Sequence, residues 1–252
     1  MPRANMLIAD DVGIGKTIEA GLVVHEFVLR HRARNCLVVC PSSLQEKWRL
    51  EMRDKFGFEF HILDSDAVRQ LRRTRGIHIN PLESHPYVIT SMDWLKRPEQ
   101  QPMLDATLPP DTNLYPRKFD LLIVDEAAHV APAGDGRYAT DSQRTQLVTR
   151  LSPHFEHRLF LTATPHNGKP ESFQALLALI DPQRFARGVR PNAAQLRQVM
   201  VRRLKAHIKQ VRPDAPFAER RIHPLPLTYS DDEVEAYGWL QRYTELRRKA
   251  AG

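Results

Sequence analysis

Two short stretches carry side chains able to handle a phosphorylated ligand. The first, Val12-Gly13-Ile14-Gly15-Lys16-Thr17, follows the apolar run Met6-Leu7-Ile8-Ala9 and two aspartates, and it opens an amphipathic segment. Strand, tight turn and helix start in that order describe a phosphate-binding loop. Gly13 and Gly15 let the backbone approach an anion so that consecutive N–H groups point inward. The positive end of the following helix adds to the attraction. In such a loop Lys16 reaches β- and γ-phosphates and the Thr17 hydroxyl ligates Mg²⁺. Gly13, Ile14, Gly15, Lys16 and Thr17 are therefore the candidate cofactor-binding residues. The strict pattern G-x-x-x-x-G-K-[ST] asks for glycine where Asp10 stands, and taken alone the stretch also reads as an ordinary loop with a solvated lysine.

The second stretch is Leu121-Leu122-Ile123-Val124-Asp125-Glu126. A nucleotide loop that performs hydrolysis needs a carboxylate for Mg²⁺ and a group that orients the attacking water. Asp125 suits the metal, together with Thr17, and Glu126 suits the water, which makes Glu126 and Lys16 the candidate catalytic pair. The plain alternative for an acidic pair after a strand is turn chemistry or helix capping. Its occurrence after a Lys-Thr loop favours the chemical reading.

Both stretches need a scaffold that brings strand ends together. Cys36–Cys40 and Phe119–Val124 are continuous apolar runs of the kind buried on both faces of a parallel sheet. Residues 58–63, 87–90 and 158–161 read as further strands. Helical spacing runs over residues 17–31, 43–56, 66–75, 91–97, 142–151, 171–180 and 193–208. Ser43 with Glu46 forms a candidate capping box. Five prolines between Arg97 and Arg117 suggest an irregular surface insertion over 98–117, and Gly134, Asp135 and Gly136 mark a loop. Residues 209–252 read as a Pro-rich linker, an exposed strand (221–228) and a charged helix (231–249). Alternating strands and helices imply an α/β fold with a mainly parallel sheet and helices on both faces, with ligands at the carboxyl ends of the strands.

Of the 252 residues, 42% are hydrophobic and 27% charged, which fits a globular chain and not a disordered one. The longest purely apolar run, Ala175–Ile180, is far below the ~20 residues of a membrane span, so no membrane partner is expected. Met1-Pro2-Arg3-Ala4-Asn5 lacks the apolar core of a signal peptide, which implies a cytoplasmic protein. Cys36 and Cys40 lie an even number apart on one strand and read as packed, reduced thiols. The net charge of +7 permits a polyanionic partner without requiring one. Arg69, Arg72, Arg73 and Arg75 crowd one helix as a solvated face, whereas for Arg197, Arg202, Arg203 and Lys205 on another a positioning role is favoured over a solvated face. Trp48, Trp94 and Trp239 read as core anchors.

The ordered set LIADDVGIGKT, LVVCPSSLQEKW, YVITSMD, LLIVDEAAH, LFLTATPHNG and VMVRRLK resembles the Swi/Snf-type ATPases of helicase superfamily two. More narrowly it is similar to their bacterial branch, RapA-like and DISARM DrmD-like, with GIGKTIEAG, TPHNG-x-x-ESFQALLALID and RFARGVRP leaning to the DrmD-like, phage-defence side. That family carries aspartate where Asp10 stands. The resemblance implies a RecA-like P-loop lobe over residues 1–208, ATP and Mg²⁺ as cofactors, and double-stranded DNA as a partner. It implies a bacterial, nucleoid-associated location, with defence-system or polymerase proteins as further partners. It also implies a DNA-contacting role for Pro41, Ser42 and Ser43 and for Thr90 and Ser91. Thr162, Ala163 and Thr164 would couple hydrolysis to movement. Pro-Ser-Ser also makes a good helix start, and Thr-Ala-Thr-Pro a good turn.

Two departures bear on activity. Where the family reads Asp-Glu-Ala-His, Ala128 takes the fourth place and His129 follows, so the carboxylates survive while coupling through His129 is in question. Nothing after Val201–Lys205 resembles a second RecA-like lobe, and the segment that supplies an adenine-contacting glutamine would lie before Met1. The expectation is the first lobe of a DNA-dependent translocase, weak or inactive by itself and needing a second lobe in cis or trans. The rivals are a nucleotide-binding or assembly module without turnover, and a P-loop signalling ATPase unrelated to nucleic acid.

Overall fold

The apolar runs lie side by side in the computed structural model, which describes residues 3–108, 119–131, 141–165, 170–212, 214–215, 217 and 223–251. Strand β1 (Asn5–Ile8) leads through the glycine loop into helix α1 (Lys16–Leu29). Strand β2 (Cys36–Cys40) is followed by a 3-10 turn over Ser42–Leu44 and helix α2 (Gln45–Phe56). Next come β3 (His61–Leu63), α3 (Ser65–Arg75), β4 (Tyr87–Ser91), α4 (Met92–Leu95) and α5 (Gln101–Thr107). Strand β5 (Phe119–Val124) precedes α6 (Gln143–Leu151), β6 (Phe155–Leu161) and α7 (Pro170–Ile180). The first unit closes with α8 (Ala193–Val199), β7 (Met200–Val201) and α9 (Lys205–Val211).

Among the described residues the seven strands form one all-parallel sheet in the order β3-β4-β2-β5-β6-β1-β7. Side-chain alternation sends each central strand to two cores. Leu7, Leu37, Val39, Leu122 and Val124 pack on one face. Ile8, Cys36, Val38, Cys40, Leu121 and Ile123 pack on the other, against Val24 of α1 and Trp48 and Met52 of α2. A sheet covered on both faces needs apolar residues at every position, which is why the runs were continuous. Helices α1 and α2 cross closely at Gly21, where a Cβ would lie 2.1 Å from the Phe56 ring. The register pairs Ile8 with Leu161 and Val124 with Phe160, so the loops after β1, β5 and β6 leave the same sheet edge.

Several expectations need correction. The first part of the proposed insertion is ordered as a 3-10 turn and α5, because Pro98 and Pro102 occupy first-turn positions where a missing N–H costs nothing. Residues 109–118, and the loop at Gly134–Gly136, lie outside the described residues. The Ser43–Glu46 capping box does not form: the chain makes a 3-10 turn first, and α2 starts at Gln45 without a side-chain cap. The helix expected over 193–208 is split, because Met200–Val201 extends to pair with β1 and add an edge strand.

The chain divides into two compact units, residues 1–213 and 214–252. In the second, residues 223–228 form no strand, and helix α10 (Asp231–Ala251) dominates. Ser230 and Glu233 exchange bonds at its start, the Ser230 amide donating to Glu233 Oε2 at 2.9 Å. Trp239 is 60% exposed on this helix and is not a core anchor, whereas Trp48 and Trp94 are buried. No helix among the described residues is long and apolar enough to cross a membrane.

Candidate functional site

The glycine loop turns on two left-handed residues, Gly13 (φ 76°) and Gly15 (φ 113°), a backbone region that side chains disfavour. Gly15 caps α1 without a side-chain bond. Ile18 and Glu19 N–H donate to Gly15 O (2.9 and 3.1 Å), while the described bonds give the Lys16 and Thr17 amides, at the very start of α1, no intrahelical acceptor, as an anion site requires. The Lys16 ammonium folds back and donates to the carbonyls of Asp10 (3.0 Å) and Asp11 (3.3 Å). A phosphate in the loop would take over that charge. Gly13, Gly15, Lys16 and Thr17 form one wall of a cleft of about 380 Å³, Asp125 and Glu126 a second, and Lys47, Trp48, Glu51 and Lys55 of α2 a third.

Asp125 is held from three sides. Its amide donates to Val39 O (2.9 Å), its Oδ1 accepts from the Glu126 amide (2.9 Å), and its Oδ2 accepts from the buried Trp48 indole N–H (2.8 Å). Each oxygen keeps a lone pair for a hydrated cation. With the Thr17 hydroxyl across the cleft, these hard oxygen donors fit Mg²⁺ carried by a nucleotide. Glu126 takes a left-handed conformation (φ 51°), uncommon for a side-chain-bearing residue and costing about 1–3 kcal/mol. That turn ends β5 abruptly and leaves Glu126 on the cleft wall.

Asp10, in the place of the pattern's glycine, is completely buried. Its Oδ1 accepts from the Arg203 amide and its Oδ2 from Arg203 Nε, both at 2.8 Å. Arg203 also pairs with Glu19 in the first turn of α1. A buried carboxylate needs a charged, hydrogen-bonded partner, so Asp10 is an anchor where glycine would give only freedom. Among the residues that support Asp10 and Asp125, the sequence reads Trp48 only as packing and does not single out Glu19. The one available signal for Trp48 was an indole in the otherwise polar run QEKWR beside the Pro-Ser-Ser turn.

The remaining candidates are placed differently. Ser42 and Ser43 are exposed beyond β2, with Pro41 half-buried beside them. Thr90 is buried and donates to Leu63 O (2.9 Å), and Ser91 caps α4 by accepting from the Trp94 amide (3.1 Å). Both hydroxyls therefore serve the lobe's own structure. Thr162 is buried after β6, its amide bonded to Ile8 O (3.0 Å) and its hydroxyl accepting from the Thr164 amide (3.2 Å), with Ala163 between them. His129 is exposed and borders a shallow cleft with Pro41, Asp93, Glu126 and Arg144. Among the described residues its imidazole makes no bond to Thr162–Thr164. Arg144 and Lys96 hold the Asp93 carboxyl below its usual range, the Lys96 bond foremost. The arginines of α3 are exposed. Both cysteines are free and buried; burial, reinforced by the nearby Asp125 charge, pushes the Cys40 thiol up to about 12.

A family model, the SNF2-related domain, matches residues 1–191. The RNA polymerase-associated protein RapA of Yersinia enterocolitica is 36% identical over 182 residues, which is 71% of this chain and 17% of that protein. RapA of Yersinia pestis matches to the same extent. The chain thus spans 17% of the length of these curated relatives. Among solved structures, a Sulfolobus solfataricus SWI2/SNF2 ATPase core in complex with dsDNA is similar (TM-score 0.55, 21% identity, 79% of this chain and 40% of that one). So is a Pyrococcus furiosus Hef helicase domain (TM-score 0.53, 15% identity, 81% and 35%). At these identities the structural likeness speaks to the fold alone, a RecA-like α/β lobe. With the loop, the acidic pair and the parallel sheet in their places, the chain belongs to the SNF2-related domain family, as a RecA-like lobe of the Swi/Snf type.

Proposed function

We propose that the chain is the ATP-binding lobe of a DNA-dependent ATPase that moves along double-stranded DNA, acting with a second RecA-like lobe. The observation that carries this reading is the single cleft shared by Gly13, Gly15, Lys16, Thr17, Asp125 and Glu126. Bound Mg²⁺ would neutralise phosphate charge. Lys16 leaves the carbonyls of Asp10 and Asp11 for the β- and γ-phosphates, Thr17 and Asp125 hold the cation, and Glu126 orients the attacking water. Exposed Ser42 and Ser43 suit sequence-independent bonds to DNA phosphates. Thr90 and Ser91 act by shaping the β4–α4 corner. The dsDNA bound to the Sulfolobus core supports the choice of polymer. For the task of the intact protein, the RapA relatives favour a polymerase-linked role over phage defence.

Calorimetry with Mg-ATP tests the site. Lys16→Ala should weaken binding by a hundredfold or more, the order expected when about 3 kcal/mol of charge-assisted bonds is lost. Glu126→Gln should still bind. A parent chain that binds no nucleotide, or a Lys16→Ala chain that binds equally well, overturns the reading. Binding without turnover is the second reading, favoured by the lack, among the described residues, of a bond between the His129 imidazole and Thr162–Thr164. DNA-stimulated hydrolysis after adding a second lobe in trans would exclude it.

A further inference from the structure

We propose that Arg203 is a positioning residue of the nucleotide loop, pinning its two ends together and tying them to the chain segment that follows the edge strand. The inference rests on the nucleotide-binding reading above and names a control over that same site.

The geometry is specific. Asp10 immediately precedes the loop and Glu19 lies just beyond it, in the first turn of α1. The Arg203 guanidinium pairs with both carboxylates, so one planar fork bridges the start and the end of the loop. The backbone strengthens the tie: Ala9 N donates to Val201 O (2.7 Å), Asp11 N to Arg203 O (3.0 Å), and Arg203 N to the Asp10 carboxylate. Asp10 is fully buried, and both of its carboxylate oxygens are bonded by Arg203. The same segment then passes over the loop: Lys205 Nζ lies 3.9 Å from where a Gly13 Cβ would be.

A loop whose ends are already fixed at the right span loses less freedom when it closes on a phosphate. The link also runs backwards. If residues 201–205 favour the binding-competent loop, a bound nucleotide must stabilise residues 201–205 by the same factor. Displacing α9 would therefore loosen the nucleotide grip, and releasing the nucleotide would free α9.

The test uses Mg-ADP, with calorimetry, urea unfolding and amide hydrogen exchange on the parent, Glu19→Gln and Arg203→Lys chains. Glu19→Gln removes only the far pin and leaves the Asp10 pair intact. It should weaken Mg-ADP by about threefold at an unchanged urea midpoint, as befits a part-exposed ion pair. Arg203→Lys keeps a charge for Asp10 but cannot span both carboxylates, and should weaken Mg-ADP by about tenfold. In the parent, Mg-ADP should slow exchange at residues 200–205, and both variants should reduce that protection. Two results would overturn the proposal: affinity that stays at the parent value in both variants, even with a lowered urea midpoint, or exchange at 200–205 indifferent to Mg-ADP. A parent chain that binds no Mg-ADP overturns the nucleotide reading as well, so the two failures are distinguishable.

Discussion

The carboxyl edge of the sheet has two halves built in different ways. Around the glycine loop, key side chains are held by partners far away in sequence: Asp10 by Arg203, and Asp125 by Trp48. Ser42, Ser43, His129 and Thr162–Thr164 themselves make only short-range or backbone bonds among the described residues, although the Arg144–Asp93 pair borders His129, and His129 and both serines are exposed. The first half is preorganised, with supporting side chains already in place for an incoming charge. The second leaves Ser42, Ser43 and His129 open to solvent while Thr162 stays buried. A lobe that must grip a nucleotide by itself but transmit its state to other molecules would show this asymmetry.

The strongest way to break the comparison is to remove a cross-tie. Trp48→Phe keeps an aromatic ring in the core but leaves a buried oxygen of Asp125 without its donor. An unsatisfied charged acceptor of this kind costs about 2–3 kcal/mol, so the urea midpoint should fall accordingly. Freed from the indole, Asp125 should also hold the cation less well, and Mn²⁺ affinity in the presence of ADP, read by electron paramagnetic resonance, should weaken several-fold. An unchanged midpoint and Mn²⁺ affinity would mean the indole bond contributes nothing to the grip.

Why the sequence revealed one layer of this and not the other follows from range. The doubly covered sheet needs unbroken apolar runs, so Cys36–Cys40 and Phe119–Val124 were legible, and the glycine loop was marked by residues that few other structures need. Strand β7 is only two residues long, and its apolar residues continue the spacing of α8, so Val199–Lys205 read as helix. Tertiary pairing with β1 decided otherwise. Of the prolines that suggest an irregular insertion near α5, Pro98 and Pro102 sit where a helix tolerates them. The Asp10–Arg203 pair joins residues 193 apart, and no local pattern announces such a partner. Trp48 has the right type to be packing, and a second role only because its indole reaches Asp125 at the end of β5.

A smaller effect comes from Cys40, which borders the gripped half at the end of β2. Its thiol ordinarily titrates near 9.0 but is pushed up to about 12 here, first by burial and then by the Asp125 charge. As pH rises past 9 the unfolded chain loses this proton while the folded chain keeps it until about 12. The thiol's contribution to stability is therefore complete below pH 9 and declines across that window. At pH 10 the loss amounts to roughly 1.4 kcal/mol. Comparing urea midpoints at pH 8 and pH 10, Cys40→Ala should lose about that much less than the parent. Equal losses would place Cys40 in contact with solvent and remove it from the preorganised half.

The smallest effects should come from the open half, and there the change of sign matters more than the size. His129 is exposed and its imidazole makes no bond among the described residues, so His129→Ala should shift stability by less than about 0.5 kcal/mol. Mg-ADP affinity should likewise stay within about twofold of the parent. A larger loss in either would show that this half is cross-tied like the other and that the asymmetry is false. The converse substitution sharpens the point. Ala128→His restores a histidine at the fourth position of the Asp-Glu-Ala-x run, on the 3-10 turn directly after Glu126. If the open half transmits and does not grip, Ala128→His should leave Mg-ADP binding untouched in the isolated chain. It should raise DNA-stimulated hydrolysis once a second lobe is supplied, because only then does the turn have a partner to signal to. A gain in nucleotide affinity without that partner would move residues 128–129 into the gripping half and redraw the boundary between the two.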